Sequence, residues 1–256
     1  MKKLISLILA VLMVAGVFTA CGSKDAKEDS NTQTGGVITV ATNAEFPPFE
    51  YLDGDKVVGA DIEIAEAIAE KLGKTIEVTN IDFDAALTGA ATGKYDMAIA
   101  GITANDERKA NMNFSDDYYK ASQAIIVTSD STIKAAKDLE GKTISCQEGT
   151  TGEQYLLDNN YSVQSFKTGA EAVSALTAGK VDAVVIDDAV AQALSDKKNG
   201  ATKVLDEALT QENYAIAIKK GNDEFTKQVN DALKQLKDEG KVAEIFAKYE
   251  LPYDAE

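Results

Sequence analysis

The stretch GKYDMAI at residues 93–99 recurs as GKVDAVV at residues 179–185. Each copy follows an alanine-rich helical segment and opens an apolar strand. The two copies lie 86 residues apart, which is too long for a solenoid repeat of about 20–50 residues. The recurrence therefore favours two similar α/β halves, although two GKxD turns can also arise by chance within one α/β protein.

Around the first copy, short β-branched runs alternate with alanine-rich periodic stretches. The pattern predicts a strand, a helix, a strand, a helix and a strand, in the segments 37–42, 61–72, 75–82, 84–92 and 95–101. Another helix is expected to begin at Asn105. Because successive β-α-β units place their strands side by side and parallel, we expect a mostly parallel sheet with helices on both faces.

The second half contains two further predicted strands, at residues 142–147 and 181–186. The β-rich segments 121–128 and 213–219 lie at the edges of this half. We interpret these two segments as strands that cross between the halves.

The helices predicted at residues 223–239 and 242–249 would then return to the first half. On this interpretation, one lobe comprises residues 37–120 together with residues 216–256. The other lobe comprises residues 121–215.

The N-terminal 20 residues have the features of a secretory signal. Lys2 and Lys3 precede an apolar run at residues 4–18, and small residues follow this run. The run has 15 residues, fewer than the roughly 20 that a membrane-spanning helix requires. We therefore predict a cleaved signal peptide at residues 1–20.

Cys21 directly follows Thr-Ala, and this arrangement resembles the lipobox of bacterial lipoproteins. The resemblance implies that Cys21 becomes the mature N-terminus and carries a lipid that anchors the chain to the cell membrane. An ordinary signal peptide followed by an incidental cysteine is the alternative. Residues 22–36 are polar and small, which is typical of a flexible linker.

Composition and charge exclude several classes of function. The formal net charge of −16 repels phosphate backbones, so we predict no nucleic-acid partner. The chain has no histidine, which excludes Ser-His-Asp and Cys-His catalysis and zinc sites with histidine ligands. The two cysteines are too few for a four-cysteine metal site, and we expect no cofactor and no metal.

Residues that directly follow the predicted strands are the candidates for a site, because open α/β sheets bind ligands at the carboxyl ends of their strands. The candidates are Asn43, Phe46, Phe83, Gly101, Thr103, Arg108, Gln147, Thr150, Thr151 and Asp187. Together they supply one arginine, one carboxylate, two aromatic rings, hydroxyl groups and a glycine-rich helix start. This combination indicates a zwitterionic ligand.

The chemistry of each residue type suggests a role in binding such a ligand. Arg108 can hold a carboxylate through a bidentate, charge-assisted pair, and backbone N–H groups at two helix starts can assist it. Asp187 can hold an ammonium group. Phe46 and Phe83 can enclose the stem of a side chain.

Each of these residues also has a purely structural interpretation. Residues 149–152 can form a plain strand-to-helix turn, and Arg108 can be a solvated charge on a helix. Asp187 can cap a helix, and the aromatic residues can belong to the core. The functional interpretation depends on all of them following strand ends together.

At these residues the sequence resembles the family 3 extracellular solute-binding proteins, which deliver polar amino acids to ABC importers. The resemblance spans residues 37–249. The matching stretches are ATNAEFPPFEY (41–51), VVGADIEIAEAIAEKLG (57–73), FDAALTGAATGKYDMAIAGITANDERK (83–109), FSDDYY (114–119), EGTTG (148–152), GKVDAVVIDD (179–188) and NYAIAIKKG (213–221). The resemblance implies two Rossmann-like lobes, joined by two crossing strands, that close on the ligand by a hinge motion.

The resemblance also implies roles for the residues that contact the ligand's head group. Arg108 would bind the α-carboxylate, aided by the backbone of Thr103 and Thr151. Asp187 would bind the α-ammonium group, together with the Gly101 carbonyl and the Thr103 hydroxyl. The two phenylalanines would sandwich the ligand side chain.

The expected selectivity depends on the residues that would face the ligand side chain. Asn43 stands where relatives often have aspartate, and Gln147 stands at a position that varies in the family. This pair predicts a neutral polar amino acid first. Glu45 or Glu148 could instead point inward and favour a basic ligand, which ranks second, and acidic ligands rank last.

The sequence therefore predicts a monomeric, non-enzymatic amino-acid receptor for an ABC permease, located outside the cytoplasm. A dehydratase on the same scaffold, acting on arogenate- or prephenate-like acids, is the alternative. The sensing domain of a transmembrane receptor is a third interpretation, but no second apolar stretch reaches 18 residues.

Overall fold

The computed structural model describes residues 35–253. The predicted signal peptide, the predicted lipidation site at Cys21 and almost all of the linker lie outside the described residues. Within residues 35–253, none of the helices has the length and apolar character that a membrane crossing requires.

The described strands follow the predicted order closely. They are β1 (Val37–Thr42), β2 (Glu45–Phe46), β3 (Glu50–Asp53), β4 (Lys56–Val58), β5 (Thr75–Asn80), β6 (Met97–Ala98), β7 (Met112–Phe114), β8 (Tyr119–Ala121), β9 (Gln123–Thr128), β10 (Thr143–Gln147), β11 (Ser162–Phe166), β12 (Ala183–Asp187), β13 (Thr202–Val204), β14 (Glu212–Tyr214) and β15 (Ala217–Lys219).

The helices lie between these strands and at the C-terminal end. They are α1 (Ala60–Lys71), α2 (Phe83–Thr92), α3 (Asp106–Asn111), α4 (Thr151–Asp158), α5 (Gly169–Thr177), α6 (Asp188–Asp196), α7 (Asp223–Asp238) and α8 (Lys241–Lys248). A short 3-10 turn at Ala136–Leu139 precedes β10.

Two five-stranded sheets define two lobes with the same topology. The first lobe has the strand order β5-β1-β6-β15-β7, and the second lobe has the order β11-β10-β12-β9-β13. In each sheet the first three strands are parallel, and one strand, β15 or β9, runs in the opposite direction to its neighbours. This equivalence confirms the predicted pair of similar α/β halves.

The recurring GKxD stretch has the same structural role in both lobes. The Asp96 carboxylate accepts a hydrogen bond of 2.8 Å from the backbone N–H of Thr39 in β1. The Asp182 carboxylate accepts one of 2.9 Å from the backbone N–H of Thr143 in β10. Each aspartate therefore fastens the start of β6 or β12 to the parallel strand beside it, β1 or β10.

The crossing segments are shorter than the sequence predicts. Strand β8 pairs with β14 in a two-stranded antiparallel ribbon, whereas β9 and β15 belong to the sheets of the second and first lobe. The predicted segments 121–128 and 213–219 are thus each divided between a crossing and a sheet. The reason is burial, because residues 124–127 are all buried and need a sheet that is covered on both faces.

The C-terminal helices pack against the first lobe, as predicted. Helices α7 and α8 both contact α1. The apolar residues of α7 recur at positions three or four apart and are buried, which is the pattern of a helix with one face on the core: Val229, Ala232, Leu233 and Leu236. The predicted boundaries of the two lobes in sequence stay a prediction.

Cys146 lies in β10, is completely buried and forms no disulfide within the described residues. Burial raises the pKa of its thiol to about 11. At neutral pH the side chain is therefore a thiol that packs like a small apolar group.

Candidate functional site

A cavity with about 290 Å³ of empty space lies at the carboxyl ends of the strands of both lobes. All ten predicted site residues line it, and Glu50 and Ala100 also line it. The first lobe contributes Asn43, Phe46, Phe83, Gly101, Thr103 and Arg108, and the second lobe contributes Gln147, Thr150, Thr151 and Asp187. The structure therefore brings the whole predicted set together, and the binding roles of its members stay predictions.

Arg108 projects from the first turn of α3, which Asn105 caps by accepting a hydrogen bond from the backbone N–H of Arg108 at 2.9 Å. The guanidinium donates to the carbonyl oxygens of Thr103 at 2.9 Å and Gly149 at 3.1 Å. Its central carbon lies 5.4 Å from the ring centre of Phe83. The side chain is thus held in place by both lobes.

The charge of Arg108 remains available to a ligand. Both of its hydrogen bonds go to neutral carbonyl groups, and no salt bridge to it occurs among residues 35–253. Burial lowers the pKa of the guanidinium, whereas the negative charges of Asp187 and Glu212 oppose that shift. An arginine keeps its proton under such conditions, so a fixed cation faces the cavity.

Asp187 ends β12 and is almost completely buried. Its two carboxylate oxygens accept hydrogen bonds from the hydroxyl of Tyr214 at 2.6 Å and the amide of Gln123 at 3.0 Å. Asp187 occupies the N-cap position of α6, as the capping interpretation expects, but its side chain makes no capping hydrogen bond within the described residues. Burial, followed by the charge of Glu212, raises the pKa of Asp187 to about 7, although the hydrogen bonds from Tyr214 and Gln123 oppose that shift.

Glu212, at the start of β14, is a carboxylate that the sequence did not point to. One oxygen accepts hydrogen bonds from the hydroxyl of Thr103 at 2.5 Å and the hydroxyl of Thr151 at 2.7 Å. Thr103 belongs to the first lobe and Thr151 to the second, so Glu212 joins the two lobes beside the cavity. No local sequence signal marks this residue, because its contacts join segments far apart in the chain.

Phe46 and Gly101 pack closely at one wall of the cavity. Gly101 has a left-handed backbone with φ of 55°, and a Cβ atom there would lie 2.7 Å from the ring of Phe46. Phe46 and Phe83 are both buried and also line the cavity. The structure therefore places both rings in the core and at the cavity wall, and their role in enclosing a ligand side chain stays a prediction.

The glycine-rich turn before α4 is a capped helix start that also lines the cavity. Thr150 is the N-cap residue of α4, and its hydroxyl accepts a hydrogen bond from the backbone N–H of Glu153 at 3.3 Å. The same hydroxyl donates to the carbonyl of Gln147 at 2.7 Å. These contacts place the N-terminus of α4 against the cavity.

Asn43 and Gln147 contact each other across the two lobes. The amide of Gln147 donates to the side-chain oxygen of Asn43 at 3.0 Å, and the amide of Asn43 donates to the carbonyl of Ile81 at 3.0 Å. The side-chain oxygen of Gln147 is buried and has no hydrogen-bond donor within the described part of the chain. The pair therefore presents an unused acceptor.

Glu50, the first residue of β3, provides the acidic side chain of this part of the cavity. It is completely buried, and neither carboxyl oxygen has a donor within the described residues. Glu50 is not among the predicted site residues because it does not directly follow a main strand. The signal that could have found it is one acidic residue within the otherwise aromatic and proline-rich stretch FPPFEY.

The two glutamates that the sequence suggested as inward-pointing side chains, Glu45 and Glu148, do not line the cavity. Glu148 forms a salt bridge of 2.5 Å with Lys167, and its side chain is 45% exposed. Glu45 is half-buried at β2. Glu50 therefore replaces both of them as the candidate that faces a ligand side chain.

Two similar α/β lobes with a polar cavity between them define a solute-binding protein of the periplasmic-binding-protein type. The chain belongs to the bacterial extracellular solute-binding proteins, family 3, whose sequence model matches residues 38–252. Membership of this extracellular family places the chain outside the cytoplasm.

Two relatives illustrate the similarity. The arginine-binding extracellular protein ArtP of Bacillus subtilis (strain 168) is 33% identical over 97% of this chain and 98% of the relative. A probable histidine-binding protein of Neisseria gonorrhoeae is 33% identical over 97% of this chain and 96% of the relative. These relatives are binding proteins, not enzymes.

Solved structures support the same assignment. An ancestral arginine-binding protein bound to glutamine superposes with a TM-score of 0.79 and 41% identity, over 84% of this chain and 97% of that protein. The ancestral amino-acid-binding protein AncCDT-1, described as a precursor of cyclohexadienyl dehydratase, has a TM-score of 0.77 and 34% identity, over 84% of this chain and 95% of that protein.

Proposed function

We propose that this protein captures a free polar amino acid between its lobes and delivers it to the membrane permease of an ABC importer. The observation that carries the proposal is the presence of an unneutralised arginine and a buried carboxyl group at one cavity. Arg108 comes from the first lobe and Asp187 from the second, so one ligand can hold both lobes together. Hinge closure of the lobes on the ligand follows from this arrangement.

The head group of an amino acid matches these two residues. A carboxylate accepts two parallel hydrogen bonds from a guanidinium, and an ammonium group neutralises a buried carboxylate. The N-terminus of α4 adds backbone N–H donors for the carboxylate. The hydroxyl of Thr103 donates to Glu212 and keeps its acceptor capacity for the ammonium group.

The unused acceptors of the cavity favour a ligand side chain that donates hydrogen bonds. Glu50 supplies two such acceptors and Gln147 supplies one, whereas Arg108 is the only cationic side chain that lines the cavity within the described residues. A guanidinium or ammonium group would donate hydrogen bonds to these acceptors and pair with the Glu50 carboxylate. We therefore place basic amino acids first and neutral amides second. This reverses the order of ligands that the pair of Asn43 and Gln147 predicts from the sequence.

The relatives support this order. ArtP is an arginine-binding protein, and the ancestral structure described above has also been solved with arginine bound. The same ancestral protein binds glutamine. Acidic amino acids stay last, because a second fixed cation would be required to hold the distal carboxylate.

Thermal unfolding in the presence of each of the twenty amino acids, cystine and ornithine tests the proposal. A ligand at 100 times its Kd stabilises the folded protein by about 2.7 kcal/mol, which gives a clear shift in Tm. We expect arginine or lysine to give the largest shift and glutamine a smaller one. A chain that no amino acid stabilises would contradict the proposed function.

An enzymatic role is the second candidate, and the AncCDT-1 similarity motivates a direct test of it. The chain has no histidine to act as a general acid, and Arg108 with Asp187 already accounts for an amino-acid head group. Incubation of the purified protein with prephenate and with arogenate should leave both compounds unchanged. Turnover of either compound would favour the dehydratase.

A further inference from the structure

Below the cavity, Glu50 lies against a second buried carboxyl group. Asp61, in the first turn of α1, is completely buried, and its carboxyl group and that of Glu50 are within hydrogen-bonding reach of each other. One oxygen of Asp61 accepts hydrogen bonds of 2.8 Å from the backbone N–H of Gly101 and from the hydroxyl of Tyr118. Asp61 is thereby fixed under the turn that forms one wall of the cavity.

The hydrogen-bond inventory of this pair lacks a donor. Within the described residues, no hydrogen-bond donor contacts either carboxyl oxygen of Glu50 or the second carboxyl oxygen of Asp61. Two ionised carboxylates at such a distance repel each other, and burial without a cation makes the repulsion larger. One proton between the two groups removes one charge and supplies the missing donor at the same time.

The surroundings of the pair favour that proton. The titratable and charged groups that face it are Tyr118, Asp187 and, across the cavity, Arg108. Burial raises the pKa of Glu50 well above its ordinary value, and the charge of Asp61 raises it further. Burial also raises the pKa of Asp61, but the hydrogen bond from Gly101 opposes that shift. The proton therefore belongs on Glu50, from which it points to Asp61.

We propose that Glu50 and Asp61 share one proton in the unliganded protein, and that an amino acid with a basic side chain displaces this proton to solvent when it binds at Glu50. The proposal rests on the proposed function and deepens it. The O–H bond of Glu50 breaks, the proton leaves to the buffer, and the cationic side chain takes its place beside the carboxylate. A ligand with a neutral side chain leaves the proton where it is.

The number of protons released on binding separates displacement of the Glu50 proton from the titration of Asp187 by the ligand's ammonium group. The pKa of Asp187 is about 7, so this residue is partly protonated near neutral pH. Every amino acid whose ammonium group binds there therefore releases a fraction of a proton from Asp187. Glutamine and arginine share that head group. The difference in proton release between the two ligands therefore reports the Glu50–Asp61 pair.

Calorimetry in buffers with different ionisation enthalpies measures the protons released by arginine and by glutamine. For the full chain we expect arginine to release up to one proton more than glutamine.

The ratio of arginine affinity to glutamine affinity should rise with pH, up to tenfold per pH unit while the pair holds its proton. This second measurement uses only the unmodified protein, so it does not depend on the folding of a variant.

Two variants complete the test. Glu50→Gln should abolish the difference in proton release and reduce the affinity for arginine more than for glutamine. Glu148→Gln removes an exposed glutamate that pairs with Lys167, and it should retain the difference.

Each contrary outcome overturns the proposal in a recognisable way. Equal proton release by the two bound ligands, or binding of glutamine without binding of arginine, would overturn the proton displacement alone. Failure of every amino acid of the thermal-unfolding screen to bind would overturn the proposed function together with it.

Discussion

At the scale of single residues, the site keeps two opposite charges apart. Arg108 donates only to carbonyl groups, and Asp187 accepts from a tyrosine hydroxyl and a glutamine amide. Neither side chain satisfies the other, although both are withdrawn from water. The arrangement leaves the electrostatic gain for a molecule that carries a carboxylate and an ammonium group a short distance apart.

Arg108 should be the largest single contributor to binding. Truncation of one partner of a desolvated charge pair costs on the order of 2–5 kcal/mol, so Arg108→Ala should weaken amino-acid binding by roughly 30-fold or more. Arg108→Lys should also bind weakly, because lysine lacks the planar fork that holds a carboxylate by two hydrogen bonds. Calorimetric Kd values for both variants measure the effect.

The neighbouring exposed Lys109 provides the matched control. Lys109→Ala removes one positive charge from the same helix without touching the cavity, and its Kd should equal that of the unmodified protein. Binding of Arg108→Lys within threefold of the unmodified protein would argue against a bidentate carboxylate site.

Asp187 should make both stability and binding depend on pH, in opposite directions. Its pKa is 3.8 without the protein environment and about 7 in the fold, so the folded state holds more protons than the unfolded state between these values. The stability of the unliganded protein should therefore fall as pH rises from about 4 to 7. Amino-acid affinity should rise over the same range, because the ammonium group requires the ionised carboxylate.

Denaturant unfolding and calorimetry at pH 5 and pH 8 measure these two trends. Asp187→Asn should remove the contribution of Asp187 to the change in the free energy of unfolding between pH 5 and pH 8. This variant should also bind amino acids weakly at both pH values. A variant that binds as tightly as the unmodified protein at pH 8 would show that Asp187 does not hold the ammonium group.

At the scale of the secondary-structure elements, the paired aspartates of the GKxD stretches hold each sheet together. Each carboxylate accepts a hydrogen bond from a backbone N–H group of the neighbouring strand, β1 or β10. Loss of the side chain therefore leaves that N–H group without its partner. We expect Asp96→Ala and Asp182→Ala each to lower the free energy of unfolding by about 1 kcal/mol. Urea denaturation measures this change.

Amino-acid affinity should stay unchanged in both variants, because neither aspartate lines the cavity. Asp55→Ala, in the exposed turn between β3 and β4, is the control that removes a carboxylate without such a hydrogen bond. If Asp96→Ala were as stable as this control, the aspartate would not fasten the strands.

At the scale of the whole molecule, the two lobes meet at a two-stranded ribbon and at Glu212. Strands β8 and β14 are the short connection, and Glu212 accepts hydrogen bonds from a threonine of each lobe. The proposed delivery to a permease requires that this folded unit remain close to the membrane. The predicted lipid on Cys21 and the predicted linker at residues 22–36 would provide that attachment.

Cys21→Ser should therefore release the protein from the membrane fraction of cells that produce it. The expectation rests on the position of Cys21 directly after Thr-Ala, at the end of a short apolar run and before a polar linker. Fractionation followed by immunodetection measures the distribution, and Cys146→Ser serves as the control because Cys146 is buried in β10. Equal retention of Cys21→Ser and the unmodified protein in the membrane fraction would contradict a lipid anchor.

Much of the fold could be predicted from the sequence, because its signals are local. The alternation of strand and helix, the GKxD recurrence and the strand ends that precede Arg108 and Asp187 all depend on neighbouring residues. The division of segments 121–128 and 213–219 between a ribbon and a sheet could not be predicted in this way. Both parts of each segment are β-rich, and only the packing of the two lobes decides where one strand ends.

The sequence by itself determined the residue types that face the cavity and their position after strand ends, since the chain order of a parallel α/β fold places those ends together. The tertiary structure alone decided that Glu50 joins them with no hydrogen-bond donor among residues 35–253, that Asp61 lies against it, and that Glu212 bridges the lobes. The physical reason is distance along the chain: a buried carboxyl group is defined by its neighbours in space, and for these three residues those neighbours come from segments that no local pattern connects.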